Sequence, residues 1–302
     1  MADGTLSHRL EARVSPTAAL AVAVLAVSTS AILVRWSSAP PTVAAFYRVL
    51  FTVGLLAPLA FSRYGEDLRS LGRRDALAAA VTGVALALHF AAWFQSIEWT
   101  SVAASVTLVQ TQPLFVAVGA ALYLDERLSL PKVAGLVLAV AGAAVMSVGE
   151  FLSGGLVGPR PLAGNALAVL GAVMMACYVL AGRSLRERVA LVPYVTVVYA
   201  ACAAVLCGIV VVQGDPLGGY ESVEWGLFLA MAVGPGVFGH TVVNWALEHV
   251  ESSVVSVSLL GEPVGSTVLA LFLLTEVPGT WTVAGGAVVL AGIYLTSRAR
   301  ST

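Results

Sequence analysis

Ionisable side chains interrupt long apolar stretches of this sequence, and Glu262 lies deepest within one of them. It sits near the middle of an apolar run from 252 to 275, with Ser258 and Ser266 four residues away on either side. On a helix these three side chains share one face. It costs free energy to bury a carboxyl group among apolar residues, so such a group is by default a candidate functional residue. Glu262 is thus a candidate site for a proton or a substrate ammonium; a protonated Glu that bonds neighbouring helices is the structural alternative.

Amide side chains recur at a similar depth in the first half of the chain. Gln112 directly precedes Pro113 just as Glu262 precedes Pro263, and Gln110 lies two residues earlier. An amide can pair with polar substrate groups at no cost in charge, or it can bond neighbouring helices. We expect Gln112 and Glu262 to lie on opposite walls of one cavity, with Gln110 nearby.

Two histidines occupy nearly equivalent places in the two halves of the chain. His89 belongs to an early apolar run and His240 to a late one, where Asn244 follows one helical turn further on. Imidazole titrates near neutrality, so either ring can relay a proton. A neutral histidine that donates to a backbone carbonyl is the structural alternative. No HExxH-type spacing occurs, so neither a metal nor a cofactor is predicted.

Aromatic, cationic and proline residues complete the set of candidates. Tyr178 and Trp93 can line a cavity for an apolar or aromatic group, with simple packing as the alternative. Arg48 lies inside an apolar run and Arg35 at the end of one; both are assigned structural or gating roles, because long cations reach the interface or pair with acids. Proline removes a backbone donor and breaks helices. Hinges are therefore predicted at Pro113, Pro235 and Pro263.

The elements that position these residues must lie in a membrane. The chain has 302 residues, of which 59% are hydrophobic and 11% charged, whereas a soluble domain has about 25% charged residues. This composition excludes a soluble enzyme, a disordered chain and a nucleic-acid-binding protein. Ten apolar runs approach the length of about 20 residues that a spanning helix needs. In chain order these predicted spans are 17–36, 42–61, 76–97, 101–123, 131–149, 162–182, 192–213, 224–246, 252–275 and 280–297.

Basic residues mark one side of the membrane. Thirteen of the sixteen Lys and Arg residues lie in the tails and loops on the same side as the N-terminus. Positive loops are cytoplasmic, so the sequence predicts a multi-pass cell-membrane protein with both termini in the cytoplasm. The predicted divisions are a cytoplasmic tail 1–16, a first repeat 17–149, an extracytoplasmic linker 150–161, a second repeat 162–297 and a cytoplasmic tail 298–302.

The two halves repeat one another. Residues 113–142 align with 263–292 at an offset of 150, and Trp93 pairs with Trp245 at an offset of about 152. Five spans per repeat is an odd number, so the second copy must cross in the opposite sense. The basic residues agree, because the loop between spans 2 and 3 carries four Arg and its counterpart between spans 7 and 8 carries none. The predicted fold is an all-α integral membrane protein with ten transmembrane helices in two inverted five-helix repeats, as in secondary transporters.

Several of these features occur together in one known family. They are Pro41 with Tyr47 and Arg48 in span 2, Trp93 in span 3, Pro113 in span 4, and the acidic pair Asp125 and Glu126. In this doubled pattern the sequence resembles the EamA-type transporters of the drug/metabolite transporter superfamily, over about residues 17–297. The resemblance implies a central cavity lined mainly by spans 1, 3, 4, 6, 8 and 9. It also implies movement of small metabolites, often amino acids and often outward.

The functional expectation is a secondary transporter, not an enzyme. We expect export of an amino acid or a related amine by alternating access, with proton coupling through Glu262 or His240 left open. The alternatives are an intramembrane enzyme and an oligomeric channel or scaffold. The expected partners are a small-molecule substrate, the lipid bilayer and, as open options, protons and a second copy in a homodimer. Glycines seven residues apart in spans 5 and 10 predict a close packing seam, inside the bundle or between protomers.

Overall fold

The computed structural model describes residues 15–123, 129–155, 157–186, 188–242 and 258–298. Within these ranges the chain is helical and contains no strand. The helices are α1 Pro16–Ser28, α2 Ser30–Trp36, α3 Pro41–Arg63, α4 Gly65–Ser70, α5 Arg73–Trp99, α6 Val102–Val109, α7 Gln112–Tyr123, α8 Leu130–Ser153, α9 Pro161–Arg186, α10 Leu191–Gln213, α11 Ser222–Met231, a π-helix Ala232–Thr241, α12 Gly261–Leu273 and α13 Thr280–Arg298.

Eight helical segments in the described ranges are long and apolar enough to cross a membrane. They begin with Ala18–Trp36 and end with Ser222–Gly239. Two further apolar helices, Gly261–Leu273 and Thr280–Thr296, are shorter. These lengths support a multi-pass membrane protein. Parts of predicted spans 8 and 9 lie outside the described residues, so the arrangement of ten spans stays a prediction.

Two apolar segments are broken just before a proline. The helix α6 ends at Val109 and α7 begins at Gln112, while α12 begins at Gly261 after a turn at Leu260. Pro113 and Pro263 follow these breaks directly. Proline lacks the backbone N–H and its ring clashes with the carbonyl four residues earlier, so the preceding turn cannot stay regular. The two predicted hinges therefore coincide with interruptions at equivalent places in the aligned sequences.

Two more segments depart from a regular α-helix, and these two departures do not correspond to each other in the aligned halves. Thr29 separates α1 from α2, and its hydroxyl donates to the Ala26 carbonyl at 2.7 Å. The segment after Met231 is a π-helix that contains Pro235, the third predicted hinge. Such π-turns often mark functional positions, because the wider turn leaves backbone groups free to bond elsewhere.

The helix α1 packs closely against the glycine faces of the π-helix and α12. A Cβ on Gly239 would lie 2.5 Å from the Val27 side chain, and one on Gly261 would lie 2.9 Å from that of Val24. Burial of apolar surface does not drive helices to associate in lipid, so they depend on close van der Waals packing. Small residues permit that close approach. The irregular parts of three segments are therefore in direct contact.

The predicted glycine seam joins α8 to α13 inside the bundle. A Cβ on Gly142 would lie 2.7 Å from the Gly285 carbonyl oxygen, and one on Gly285 would lie 2.6 Å from that of Gly142. Gly135 and Gly292 form the same reciprocal contact two turns away. The two backbones touch, so a larger residue at these positions would have to push them apart. The alternative of a seam between protomers is not needed to explain these glycines.

We expect Gly142→Ala to destabilise the protein by about 1–3 kcal/mol, because the added methyl must push two backbones apart. Gly208→Ala is the matched control, since Gly208 lies inside α10 and a Cβ there has nothing within 4 Å. Alanine favours a helix over glycine, so the control should unfold at the same temperature or higher. Thermal unfolding of the purified protein measures both. Equal shifts for the two variants would contradict the seam.

Candidate functional site

A cavity of about 200 Å³ lies between the broken helices. Much of its wall is apolar or aromatic, with Phe90, Met175 and Tyr199 as the larger contributors. Six of the residues singled out from the sequence also line it: His89, Trp93, Gln110, Gln112, Tyr178 and Glu262. These residues come from both halves of the chain, so the cavity lies at the junction between the halves.

The carboxylate of Glu262 is held by an amide from the other half of the chain. Gln110 Nε2 donates to Glu262 Oε2 at 2.5 Å, and Glu262 is 8% exposed. Gln110 caps the C-terminal end of α6, and Glu262 lies in the first turn of α12. An acidic side chain in a first turn is favoured by the helix dipole. The bond comes from Gln110, whereas the alignment at an offset of 150 had paired Glu262 with Gln112, which lines the cavity nearby.

Serines fix the helix of Glu262 to the break between α1 and α2. Ser266 Oγ donates to the Ser28 carbonyl at 3.0 Å, and Ser28 Oγ lies 3.5 Å from the Glu262 carbonyl oxygen. Of the polar residues predicted to share one helix face, Ser266 therefore bonds to the backbone and Glu262 faces the cavity. Ser258 is half-buried and does not line the cavity.

His89 forms a wall of the cavity and is itself anchored. Its Nδ1 lies 2.9 Å from the Gly171 carbonyl oxygen on α9, and its ring stacks on that of Trp93 at a centroid separation of 5.8 Å. A carbonyl can only accept, so Nδ1 carries a proton in this contact. This bond matches the structural alternative, and it also leaves Nε2 of a neutral ring as an acceptor.

Several predicted residues lie outside the described part of the chain. The side chain of His240, at the end of the π-helix, and the whole of Asn244 belong to this group. So do Asp125 and Glu126, the acidic pair that follows α7. The roles assigned to these residues stay predictions.

Arg48 is buried behind the cavity wall and does not reach an interface. It is 2% exposed, and its guanidinium donates to Ser30 Oγ at 2.9 Å. Its Cζ lies 4.7 Å from the centre of the Phe90 ring, close enough for a cation–π contact. These contacts join α3 to α2 and α5, and the structural or gating role assigned to Arg48 stays a prediction.

A set of contacts to two carboxylates closes one end of the bundle. We call this set of residues the clasp; its members are Arg35, Ser37, Ser38, Glu224 and Glu276. Glu224 accepts bonds from the hydroxyl groups of Ser37 and Ser38 and from the Ser38 amide, each at 2.7 Å. Arg35 donates to Glu276 at 3.3 Å. The two carboxylates come from the second half of the chain, and their partners come from the first.

Glu276 also caps the first half of the bundle. Its Oε1 accepts from the Val102 amide at 2.6 Å, at the start of α6, and Arg35 donates in addition to the Thr100 carbonyl at 2.8 Å. Burial raises the pKa of Glu276 above its usual value, although Arg35 and the Val102 amide favour the carboxylate. Acid therefore neutralises this carboxyl more readily than an exposed one.

The opposite end of the bundle has a weaker link in the described residues. Arg188 donates to Asp75 at 3.2 Å, between the α9–α10 connection and the start of α5. The two side chains are 59% and 29% exposed, so solvent screens the pair. The two ends of the bundle therefore differ in how firmly they join the two halves.

Sequence reasoning missed some of the important positions. Tyr199 lines the cavity, and Glu224 anchors the clasp, yet the sequence marked neither as a site residue. One signal was present. The run Ser28, Thr29 and Ser30 places three hydroxyl groups in the middle of an apolar span, where they would compete for backbone carbonyls and break the helix.

A sequence profile described as the EamA-like transporter family matches residues 16–148 and again residues 162–298. The chain belongs to the EamA-like transporter family. This confirms the resemblance drawn from the sequence, and with it a transporter rather than an enzyme. The family is consistent with the wider drug/metabolite transporter superfamily.

Curated relatives of this EamA-like transporter carry transporter names. An uncharacterized transporter of Archaeoglobus fulgidus is 30% identical over 64% of this chain and 67% of its own length. A second from the same organism is 27% identical over 84% of this chain and 86% of its own length. A pseudopaline exporter of Pseudomonas aeruginosa is 28% identical over 76% of this chain and 78% of its own length.

A solved crystal structure also shares the fold. It superposes with a TM-score of 0.63 at 22% identity, over 93% of this chain and 95% of the other. At that identity the likeness concerns the fold alone. The helical arrangement that surrounds the cavity is therefore one that an independent crystal structure also contains.

Proposed function

We propose that this protein exports an amino acid or a related amine across the cytoplasmic membrane by alternating access. The observation that carries the proposal is the buried Glu262 carboxylate, which faces a cavity between two broken helices and is bonded to Gln110 from the other half. Ionisable groups at such positions mark substrate or ion pathways in transporters. Export is favoured by the relative that is named a pseudopaline exporter.

The charges around the cavity favour a solute with an ammonium group. Glu262 is the one carboxylate among the described lining residues, and no Lys or Arg is among them. Arg48 is engaged with Ser30 and Phe90 behind the wall. A phosphorylated solute would need cations in the cavity, whereas an ammonium can replace the Gln110 amide as the partner of Glu262.

The proposal includes two inverted repeats, over 17–149 and 162–297, with ten spans and both termini in the cytoplasm. Breaks before Pro113 and Pro263 support the repeat, because they fall at the same offset of 150 as the aligned sequences. The reciprocal glycine contacts between α8 and α13 support it as well. The orientation rests on the positive residues of the loops.

Alternating access is proposed from the two ends of the bundle. In the proposed orientation the clasp lies on the outer side, and the Asp75–Arg188 pair lies on the cytoplasmic side. Both link the first half of the chain to the second. Each link must break in turn if the halves rock about the central cavity.

Proton coupling remains part of the proposal through Glu262, and through His240 as a second candidate. A proton and a substrate ammonium would compete for the same carboxylate, which is the simplest way to exchange one for the other. A homodimer is compatible with this scheme and is not required by it.

The direct test of the proposal is counterflow in proteoliposomes. Vesicles loaded with one unlabelled amino acid should take up the labelled compound in a saturable way, for at least one member of a panel of amino acids and amines. A channel would give flux that does not saturate and does not need a solute on the other side, and a scaffold would give none. Either result would contradict the carrier.

We expect Glu262→Gln to lower the rate of exchange by about 10- to 100-fold, the value of a hydrogen bond to a charged group. Glutamine can still bond Gln110, so the fold should survive. If protons are coupled at this site, the pH dependence of exchange should disappear as well. Glu66→Gln, at an exposed position, is the control and should leave both unchanged. An unaltered rate and pH profile in Glu262→Gln would make Glu262 a structural residue.

We also expect transport to stop when either end of the bundle is linked covalently. The double variants are Arg35→Cys with Glu276→Cys, and Asp75→Cys with Arg188→Cys, in a chain whose three cysteines are replaced by alanine. A short bis-methanethiosulfonate linker should abolish exchange in each, and a reductant should restore it. Exchange that continues with an end linked would mean that this end does not open.

A further inference from the structure

Trp93 carries a hydrogen-bond donor that the protein itself leaves unused. The side chain is 4% exposed, and its Nε1 is buried without a partner among the described residues. Trp93 lines the cavity together with Glu262 and Gln110. Buried donors in native proteins are almost always paired, so an unpaired one on a residue that lines a cavity needs an explanation, and a bound solute is one.

The indole of Trp93 packs against two neighbouring aromatic rings. It stacks on His89 at 5.8 Å and meets Phe94 edge-on at 5.5 Å between ring centroids. His89 is held in turn by the Gly171 carbonyl. A Cβ on Gly171 would lie 3.5 Å from the Trp93 Cβ, which places α9 against the base of the indole. These contacts surround the ring that carries the donor.

The chemistry of the partner follows from the indole N–H, which can donate and cannot accept. The group that satisfies it must be an acceptor, and the ionised oxygens of carboxylate and phosphate are the strong ones. The described lining has no Lys or Arg to suit a phosphate, so a carboxylate is the better fit. The described cavity wall also presents an acceptor of its own in Glu262, which suits an ammonium. A solute with both groups, a zwitterion, satisfies both ends of the site, whereas a simple amine leaves the indole unpaired.

We propose that the Trp93 indole N–H binds the carboxylate of a zwitterionic amino acid whose ammonium pairs with Glu262. This inference rests on the proposed function and narrows it, because it selects amino acids over the related amines. Trp93 is then the residue that sets this preference. It acts by direct contact with the substrate, while His89 and Phe94 position its ring.

The test compares amino acids with the amines that lack only the carboxylate. Leucine is paired with isopentylamine, and phenylalanine with phenethylamine, as competitors of exchange in proteoliposomes. The wild-type protein should prefer the amino acid in each pair. Trp93→Phe keeps an aromatic ring and removes the donor, and it should weaken competition by amino acids about 10- to 100-fold. Competition by the amines should stay within about threefold.

Two further variants keep the result interpretable. Replacement of Trp93 by 3-benzothienylalanine preserves the bicyclic shape without the N–H, so it should behave like Trp93→Phe even if phenylalanine packs poorly. Trp36→Phe alters an exposed tryptophan away from the cavity and should change nothing. Restored preference in the benzothienyl variant would show that shape, not the donor, matters, and would overturn the proposal.

The remaining outcomes separate this inference from the proposed function. If Trp93→Phe weakens competition by amino acids and by amines equally, or weakens neither, the proposal of a carrier is retained and the inference about Trp93 is wrong. If the wild-type protein prefers amines over amino acids, the inference also falls while the carrier stands. If no amino acid and no amine gives saturable exchange in the wild-type protein, both fall together.

Discussion

The structure depends on the requirement that a carboxylate buried in a membrane protein must be satisfied. Glu262 meets this requirement through Gln110, and the bond crosses from one half of the chain to the other. Both residues lie where their helices are interrupted before a proline, so backbone ends and polar side chains gather at one level. Irregular backbone is tolerated at membrane depth only where it faces protein or a cavity. The cavity, the breaks and the carboxylate are thus consequences of one constraint.

The remaining polar contacts are arranged around this centre. Ser28 and Ser266 fix the helix of Glu262 to the break in the first apolar segment, and Arg48 is held in place by Ser30 and the Phe90 ring. The clasp joins the halves at one end with one buried and one partly buried carboxylate, and Asp75 and Arg188 join them at the other with a more exposed pair. Because a buried charge is costly to leave unpaired, the clasp is the firmer of the two links.

Much of this architecture could be predicted from the sequence, because lipid imposes simple rules. Long apolar runs mark helices, prolines mark breaks, and glycines seven residues apart mark a seam; the contact between Gly142 and Gly285 follows that pattern. Cavity residues such as Glu262, Gln110 and Trp93 stood out because polar or amphipathic groups in apolar runs need a reason.

The partners of these groups could not be predicted in the same way. A bond between residues 152 positions apart depends on how helices rotate against each other, so the sequence placed Gln110 near the cavity without indicating that it bonds to Glu262. The contacts of the clasp could not be predicted for a related reason. Glu224 and Glu276 lie near helix ends, where carboxylates are common, and only the folded chain brings them against Ser38 and Arg35.

The central claim is that one cavity at Glu262 is reached from both sides of the membrane in turn. Its most direct measurement is the reactivity of Leu259→Cys, at a position that lines the cavity, in a chain without other cysteines. A membrane-impermeant thiol reagent should label this cysteine from either side of the vesicle, and a transported amino acid should protect it from both. Labelling from one side only, or labelling that a transported solute does not slow, would contradict the account.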